Sequence, residues 1–373
     1  MYKTTIKYYV KNKFQAADIH LNGNQPWDFQ VHDERFFPKV FYQRSLGLGE
    51  SYMNGWIDSK RLDESIYRIM KSSLNSPPPV AMRAFMHLIS PLYLNRQTKQ
   101  RSLIVGERHY DISNELFQCM LDKRMTYSCG YWRHASNLNE AQEAKLDLIC
   151  QKLELKPGMK VLDIGCGWGS FAKYAAEKYG VHVVGITISH EQLELAKELC
   201  KGLPIELRFQ DYRDVRETFD RVTSIGQMEH VGYKNYRTYM KVVARSLKED
   251  GLFLLHTIGN NYSSFEGDPW IDKYIFPNGL LPSCAFLARS CEGLFVMEDW
   301  HNFGADYDKT LLAWFHNFDS CWDKLKAQYD ERFYRMWKYY LLACAGGFRA
   351  RQLQLWQIVY SKRGVPGGYR SIR

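Results

Sequence analysis

The chain has 373 residues, 45% of them hydrophobic and 24% charged, so it can fill a large core and is not disordered throughout. Nine cysteines without a Cys-x-x-Cys pair argue against a secreted disulfide framework and a zinc ribbon, and suit reduced thiols in a cytoplasm. A formal net charge of +9 is compatible with a polyanionic partner, nucleic acid or an anionic membrane, or with solubility alone.

Residues 1–75 are predicted to form a small N-terminal domain. Strand-like runs occur at 18–23 and 28–33, and a helical pattern covers 62–70. The first residues contain no apolar stretch of signal-peptide length. A Ser- and Pro-rich segment at 72–79 is typical of a linker, which we place at 76–104.

The linker contains an apolar stretch at 80–94 that polar residues and Pro91 interrupt. It falls short of the ~20 apolar residues that span a bilayer. Basic side chains follow at Arg96, Lys99 and Arg101. Residues 80–103 are therefore either a solvated helix between domains or a contact with anionic lipid headgroups.

Residues 105–373 are predicted to form an α/β domain, because strand and helix patterns alternate after a first helix at 138–153. This order predicts a doubly wound parallel sheet, with ligands bound beyond the carboxyl ends of its strands. The predicted strands are 160–164, 181–188, 221–225 and 251–256, and the helices between and around them are 171–178, 191–199 and 236–247.

A glycine-rich loop follows the first of these strands. Asp163 precedes Gly165, Gly167 and Gly169, and Cys166 lies among them. The third glycine comes one residue too early for the pyrophosphate fingerprint. A single acidic residue at a strand end suits a cofactor that carries an amine and no phosphate, which favours S-adenosylmethionine. Nicotinamide binding and a purely structural turn are the alternatives.

The next two strands supply further candidates for cofactor binding. The second strand ends in Thr187 and Ser189 where an acidic residue would hold the ribose hydroxyls, and Gln192 can make those hydrogen bonds without a charge. Asp211 follows the third strand, with Tyr212 beside it, and is the candidate partner of the adenine amine.

Several long motifs resemble one family. They are YSCGYW (127–132), LDIGCGWGS (162–170), EHVG (229–232), LLHTIG (254–259), DPWIDKYIFPNG (268–279), EDWHNFGADYDKTL (298–311) and ACAGGFRARQLQLWQ (343–357). Together they closely resemble the bacterial cyclopropane fatty-acyl phospholipid synthases and the related mycolic-acid cyclopropane synthases. The resemblance implies a Rossmann-like class I S-adenosylmethionine-dependent methyltransferase fold with a smaller α/β N-terminal domain.

The resemblance also implies a reaction. A methylene group passes from S-adenosylmethionine to the cis double bond of an unsaturated phospholipid acyl chain, and a bound bicarbonate takes the proton that is lost. Glu229, His256, Tyr307 and Cys129 match the family's bicarbonate positions. Bicarbonate can lie beside Glu229 if its hydroxyl donates to the carboxylate. Cys344 matches a cysteine labelled as an active-site residue, but because the alkene is the nucleophile we expect it to line the pocket.

The predicted site contains no metal. Its cofactor-binding residues are Tyr127, Ser128, Asp163, Gly165, Cys166, Gly167, Thr187, Gln192, Asp211 and Tyr212.

A phospholipid bilayer is the expected partner, since the acyl substrate must pass directly from lipid into an apolar tunnel. We expect a cytoplasmic protein bound to the inner membrane surface through its N-terminal domain and linker, and the resemblance suggests a homodimer. No RNA-binding motif is present in the sequence, so no nucleic acid is expected. The alternatives are a methyltransferase acting on RNA or a small molecule, and a non-catalytic lipid-binding protein.

Overall fold

The computed structural model describes residues 2–72 and 113–373. The predicted linker at 76–104, its basic segment and the domain boundaries at 75 and 104 lie outside these residues. The predicted division into 1–75, 76–104 and 105–373 therefore stays a prediction.

Twelve helices occur in the described residues, apart from short 3₁₀ turns. They are α1 (Tyr2–Gln15), α2 (Phe36–Met53), α3 (Leu62–Lys71), α4 (Asn114–Met120), α5 (Leu138–Lys152), α6 (Ser170–Tyr179), α7 (His190–Leu199), α8 (Tyr236–Ser246), α9 (Pro269–Tyr274), α10 (Cys284–Cys291), α11 (Ala305–Leu325) and α12 (Glu331–Arg349). Within the described residues, no helix combines the length and the apolar character required to cross a membrane.

The strands form a two-stranded and a seven-stranded sheet. They are β1 (Gln30–Val31), β2 (Ile57–Asp58), β3 (Lys160–Ile164), β4 (His182–Thr187), β5 (Ile205–Phe209), β6 (Phe219–Ile225), β7 (Leu247–Asn260), β8 (Val296–Asn302) and β9 (Leu353–Ser361). The large sheet has the order β5-β4-β3-β6-β7-β9-β8. Strands β3 to β7 pair in parallel, and β8 pairs antiparallel with β9.

The order of the parallel strands places a ligand crevice. The chain leaves β3 toward β4 on one side and later returns to add β6 on the other, so the strand order reverses at β3. In open α/β sheets the binding site lies at such a reversal, beyond the carboxyl ends of the strands. The predicted doubly wound sheet is confirmed.

Helices cover both faces of the large sheet. Alternate residues of β7 point to opposite sides: Phe253 and Leu255 pack in one core with residues of α8 and α10, while Leu252 and Leu254 pack in a second core with residues of α5 and α6. Because the middle of β7 is buried on both faces, residues 252–255 are a continuous apolar run rather than an alternating one.

The sequence predicts the bounds of four of the seven strands, β3, β4, β6 and β7, to within four residues, and it predicts no bounds for β5, β8 and β9. Strand β3 begins and ends where predicted, at Lys160 and Ile164. The strand predicted at 18–23 is wrong: Asp18 and Asn22 have φ angles of +53° and +61°. These left-handed conformations fold the segment into turns.

Two compact units divide the chain, and neither is continuous in sequence. Of the described residues, the first unit contains 2–72, Glu266–Pro277 and Tyr307–Leu353, and the second contains 113–265, Asn278–Asp306 and Gln354–Arg373. The first unit is mainly helical, with α12 packed on α2 and α3. The second contains the large sheet and its crevice.

Candidate active site at the carboxyl edge of the sheet

The glycine-rich loop turns sharply at the end of β3. Gly165, Gly167 and Gly169 have φ angles of +81°, +54° and +79°. The amides of Gly165 and Cys166 donate to the carbonyl of Ile186 at 2.9 and 3.0 Å, which ties the loop to β4. A Cβ atom at Gly165 would lie 2.5 Å from Oε1 of Gln227, so only glycine fits there. The loop is therefore shaped by its backbone and lies at the strand reversal.

Asp163 is the acidic residue at this edge. It is 2% exposed, and burial raises the pKa of its carboxyl group to about 7, against the nearby positive charge of Lys145. The group is thus close to half ionised at neutral pH. A cationic ligand beside it would favour the ionised form.

The end of β4 brings two of the predicted cofactor residues together. The Thr187 hydroxyl lies 3.5 Å from Oε1 of Gln192, and both side chains are buried. Ser189 caps α7 by accepting from the amide of Gln192 at 3.3 Å. The uncharged oxygens of Thr187 and Gln192 thus lie at the end of β4, where other cofactor-binding folds have an acidic residue.

Asp211 and Tyr212 follow β5. The Asp211 carboxylate accepts from the Arg213 amide at 2.9 Å and forms an ion pair with its guanidinium group at 2.8 Å. Tyr212 is buried with its ring against Tyr239 at 4.8 Å, and its hydroxyl has no partner among the described residues. Asp211 therefore already has partners on both oxygens, and a contact with an adenine amine would share them.

Glu229 is fixed by two chain segments in a 3₁₀ turn after β6. The Ile258 amide of β7 donates to its Oε1 atom at 2.6 Å, and the Leu280 amide donates to its main-chain carbonyl at 2.8 Å. Burial raises the pKa of Glu229 to about 7, although hydrogen bonds from the Ile258 amide, its own amide and the Thr257 hydroxyl act in the opposite direction. Glu229 can therefore hold or release a proton near neutral pH.

His256 lies on β7, in register with Ile225 of β6, and is 1% exposed. Its Nδ1 atom lies 3.3 Å from Nε2 of Gln357, a fully buried residue of β9. Burial lowers the pKa of His256 well below its usual value, and the positive charges of Lys145 and Lys152 add to this effect. The ring is therefore neutral.

Two buried polar atoms remain unsatisfied here. Neither Oε2 of Glu229 nor Nε2 of His256 has a hydrogen-bond partner within the part of the chain that the structure describes. Unsatisfied buried polar atoms are rare and costly, so each requires an explanation. A small polar ligand could form a hydrogen bond with either atom.

The segment before α5 contains Tyr127, Ser128 and Cys129. Tyr127 packs its ring on Phe117 at 5.1 Å, and Cys129 is fully buried, with its thiol donating to the Gly130 carbonyl at 3.2 Å. The Ser128 hydroxyl accepts from the Lys145 ammonium at 2.7 Å. The three residues thus form one ordered segment held by α5.

Sequence reasoning missed Lys145, Gln142 and Gln357. The signal available was spacing: Gln142 and Lys145 share the apolar face of α5 with residues such as Leu138, Ala141 and Ile149, although neither is apolar. A polar side chain on a buried face needs a partner. The sequence could have indicated that these residues have partners, but not which ones.

Tyr307 and Cys344 belong to the first compact unit. Tyr307 lies in α11 with its ring 4.5 Å from that of Phe348 and 5.9 Å from that of Trp314. Burial raises the pKa of the Cys344 thiol, in α12, to about 12, so the thiol is protonated at neutral pH. This state agrees with the expectation that Cys344 is not a nucleophile, and the role of Tyr307 stays a prediction.

A family model described as mycolic acid cyclopropane synthetase matches residues 97–358. The cyclopropane-fatty-acyl-phospholipid synthase of Escherichia coli (strain K12) is 52% identical over 367 residues, which are 98% of this chain and 96% of the relative. The chain belongs to the cyclopropane synthase family. Cyclopropane mycolic acid synthase 2 of Mycobacterium leprae is a further relative, 35% identical over 69% of this chain and 92% of its own length.

Solved structures agree with this membership. A mycolic acid cyclopropane synthase in complex with SAH and CTAB has a TM-score of 0.66 at 33% identity, covering 70% of this chain and 98% of its own. Coclaurine N-methyltransferase has a TM-score of 0.72 at 22% identity, covering 84% of this chain and 99% of its own, and shows the fold alone. The predicted family, class I fold and enzyme class are confirmed.

Proposed function

We propose that this cyclopropane synthase transfers a methylene group from S-adenosylmethionine to the cis double bond of unsaturated acyl chains in membrane phospholipids. The observation that supports the ring-forming step is the pair of unsatisfied atoms, Oε2 of Glu229 and Nε2 of His256, at the edge where the glycine loop also ends. Closing a ring requires the removal of one proton, and these atoms lie where a proton acceptor could be held.

Residues of the second unit suit the cofactor. S-adenosylmethionine supplies an electrophilic methyl group, and a relative of this chain has been solved with SAH. The glycine loop lets the backbone approach a ligand closely, Asp163 offers a carboxylate for the amine, and Thr187 with Gln192 offers oxygens for the ribose. We infer that these residues bind the cofactor.

The proposed reaction leaves one proton to be placed. The alkene attacks the methyl carbon, whose bond to sulfur breaks, and a carbocation remains on the acyl chain. One methyl C–H bond then supplies the electron pair that closes the ring. Bicarbonate would supply the base that accepts this proton.

Glu229 and His256 are suited to hold that anion. When the Gln357 amide donates to Nδ1 of His256, the ring proton lies on Nε2, which can then donate to a bicarbonate oxygen. Glu229 can donate when protonated or accept the bicarbonate hydroxyl when ionised, because its pKa is about 7. Its raised pKa removes the repulsion that two full negative charges would cause.

The reaction can be tested by incubating the purified chain with unsaturated phospholipid vesicles and S-adenosylmethionine. NMR of the extracted lipid should show cyclopropane protons in place of vinyl protons. A methyl-branched product would instead support a simple methyltransferase, and lipid binding without any product would support the non-catalytic alternative.

The bicarbonate role has its own test. Rigorous removal of dissolved carbonate should slow the reaction, and added bicarbonate should restore it. Equal rates under both conditions would show that another base accepts the proton. Glu229→Gln should weaken the dependence, because an amide cannot accept the bicarbonate hydroxyl with a full negative charge.

We further propose that an anionic bilayer surface contacts the N-terminal helices. Tyr8, Tyr9, Phe41 and Tyr42 of α1 and α2 are 68%, 49%, 37% and 61% exposed, and the rings of Tyr9 and Phe41 touch at 5.3 Å. The sequence of α1 has four lysines and no acidic residue. Exposed aromatic rings beside lysines match the interface of an anionic membrane, where each basic side chain contributes ~1 kcal/mol.

Vesicle sedimentation tests this aromatic patch. Replacing Tyr8 and Tyr42 by Ser should reduce binding to anionic vesicles, while Val296→Ser, at a residue of the second unit that is 44% exposed, should leave it unchanged. Equal binding by both variants would place the membrane contact elsewhere. The suggested homodimer stays a prediction, which light scattering can check.

A further inference from the structure

Two lysines of helix α5 are completely buried, and the proposed reaction uses neither. Lys145 and Lys152 lie seven residues apart, each with no exposed surface. Burying an ammonium group is costly, so each must have partners that compensate for lost water. Their hydrogen-bonding partners differ, and only the hydroxyl partner of Lys145, Ser128, belongs to the candidate site, although both charges act on His256.

Lys145 holds the segment that precedes α5. Its ammonium group donates to the Ser128 hydroxyl at 2.7 Å, and one turn earlier the Gln142 amide donates to the Ser128 carbonyl, also at 2.7 Å. The backbone of Gly130 packs so closely on Ala141 that a Cβ there would lie 2.9 Å from the alanine Cβ. One face of α5 thus fixes the segment of Tyr127, Ser128 and Cys129.

Lys145 also lies within electrostatic reach of several site residues. Asp122 and Cys129, from the preceding segment, and Asp163, from the end of β3, all interact with its charge. The positive charge of Lys145 lowers the pKa of Asp163 and so partly offsets the effect of burial. His256 of β7 also feels the charge of Lys145, which favours its neutral form.

We propose that Lys145 is a positioning residue for the cofactor: its ammonium group holds Ser128 in place and balances the negative charge of Asp163. This inference rests on the proposed S-adenosylmethionine site. Lys145 acts through Ser128 and Asp163, so its removal should affect cofactor binding more than the later chemical steps.

Lys152 provides a matched control on the same helix. Its ammonium group lies 3.0 Å from Nδ1 of His301 and 3.7 Å from Asp299, which also pairs with Arg373 at 2.6 Å. Replacing either lysine by Met removes one buried ammonium group from the same helix. A purely structural role for Lys145 would therefore give two similar variants.

The test is calorimetric binding of S-adenosylmethionine to the full-length wild type, Lys145→Met and Lys152→Met between pH 6 and 9. Lys145→Met should weaken binding several-fold at pH 7, because loss of its charge raises the pKa of Asp163 further and lowers the ionised fraction. The loss should shrink as the pH rises, because Asp163 then ionises without its cation and because Lys145, whose pKa burial lowers to about 8, loses its own charge. In turnover, the KM for the cofactor should rise more than kcat falls. Lys152→Met should bind within about twofold of wild type.

Equal affinities and equal pH profiles for the two lysine variants would overturn the inference. If Lys145→Met does not fold, Ser128→Ala replaces it, and unchanged cofactor affinity in that variant would be equally contradictory. Absence of binding by the wild type would overturn the proposed cofactor site as well. Wild-type binding with an unaffected Lys145→Met variant would overturn only the role of Lys145.

Discussion

The carboxyl edge of the sheet has two regions, each built around one buried carboxyl group. Burial raises the pKa of Asp163, at the end of β3, and of Glu229, after β6, to about 7 in both cases. Different groups counteract the effect of burial on the two pKa values. Asp163 faces the charge of Lys145, whereas Glu229 receives hydrogen bonds from the Ile258 amide and the Thr257 hydroxyl.

This difference shows that two groups of the same pKa can be suited to different tasks. The charge of a nearby cation favours the ionised form of Asp163 without requiring one exact geometry. This suits a group that binds a cationic cofactor. Hydrogen bonds to one oxygen of Glu229 fix its direction and leave the other oxygen, Oε2, for a ligand. We therefore propose that the Asp163 region binds the cofactor and that the Glu229 region handles the proton.

The largest effect should come from Glu229→Gln. We expect kcat to fall ~100- to 1,000-fold, the usual contribution of a positioned acid–base group, while cofactor affinity stays within about twofold. Steady-state kinetics and calorimetry would separate the two quantities. A large loss of cofactor affinity would remove the distinction between the regions.

A smaller and different effect should follow from Asp163→Asn. Loss of a charged hydrogen bond costs ~2 kcal/mol, so cofactor binding should weaken about thirtyfold. At saturating cofactor, kcat should change much less. The same assays apply, and a loss confined to kcat would assign Asp163 to the chemistry instead.

The pH dependence of cofactor binding sharpens the comparison further. Because a cation binds best to ionised Asp163, affinity should fall up to about tenfold per pH unit below pH 7 and level off above it. Calorimetry in buffers of different ionisation enthalpy should show proton release on binding near and below pH 7. The Asp163→Asn variant should lose both effects, and a slope that persists in this variant would assign the titration to another group.

The two regions also differ in how far the sequence predicts them. Asp163 and the glycines could be placed from the residues alone, because a buried strand, an acid and three glycines follow one another within ten positions. Strand β3 has the predicted bounds, and the loop has the positive φ angles that glycine tolerates. Local chemistry determines this region.

Glu229 and His256 could be singled out only through the family resemblance. Their environment comes from Ile258, Leu280 and Gln357, which are remote in sequence and meet Glu229 or His256 only after the sheet forms. Lys145 was missed for the same reason, since its partner Ser128 lies 17 positions away. Spacing indicates that a residue is buried, but not which distant segment satisfies it.

The smallest expected effect concerns backbone strain in α2. The glycine loop has no such strain, because glycine tolerates positive φ angles. Arg44 breaks α2 with φ and ψ angles of 49° and −122°, a region that glycine adopts and other residues rarely do. Arg44→Gly should therefore stabilise the protein by about 1 kcal/mol, which thermal or urea unfolding can measure. Lys39→Gly, a substitution within the same helix, should destabilise it by at least that amount, because it also removes the ion pair with Glu50. A destabilising Arg44→Gly would show that contacts of the Arg44 side chain outweigh the strain.

We propose that one proton leaves the transferred methyl group within this site. The most direct measurement uses S-adenosylmethionine with a trideuterated methyl group, unsaturated phospholipid vesicles and mass spectrometry of the acyl chains. If a ring is formed, the acyl chains should be heavier by one methylene and should retain two of the three deuterium atoms. Retention of all three deuterium atoms would show that the protein methylates its substrate without closing a ring, and would contradict the proposed reaction.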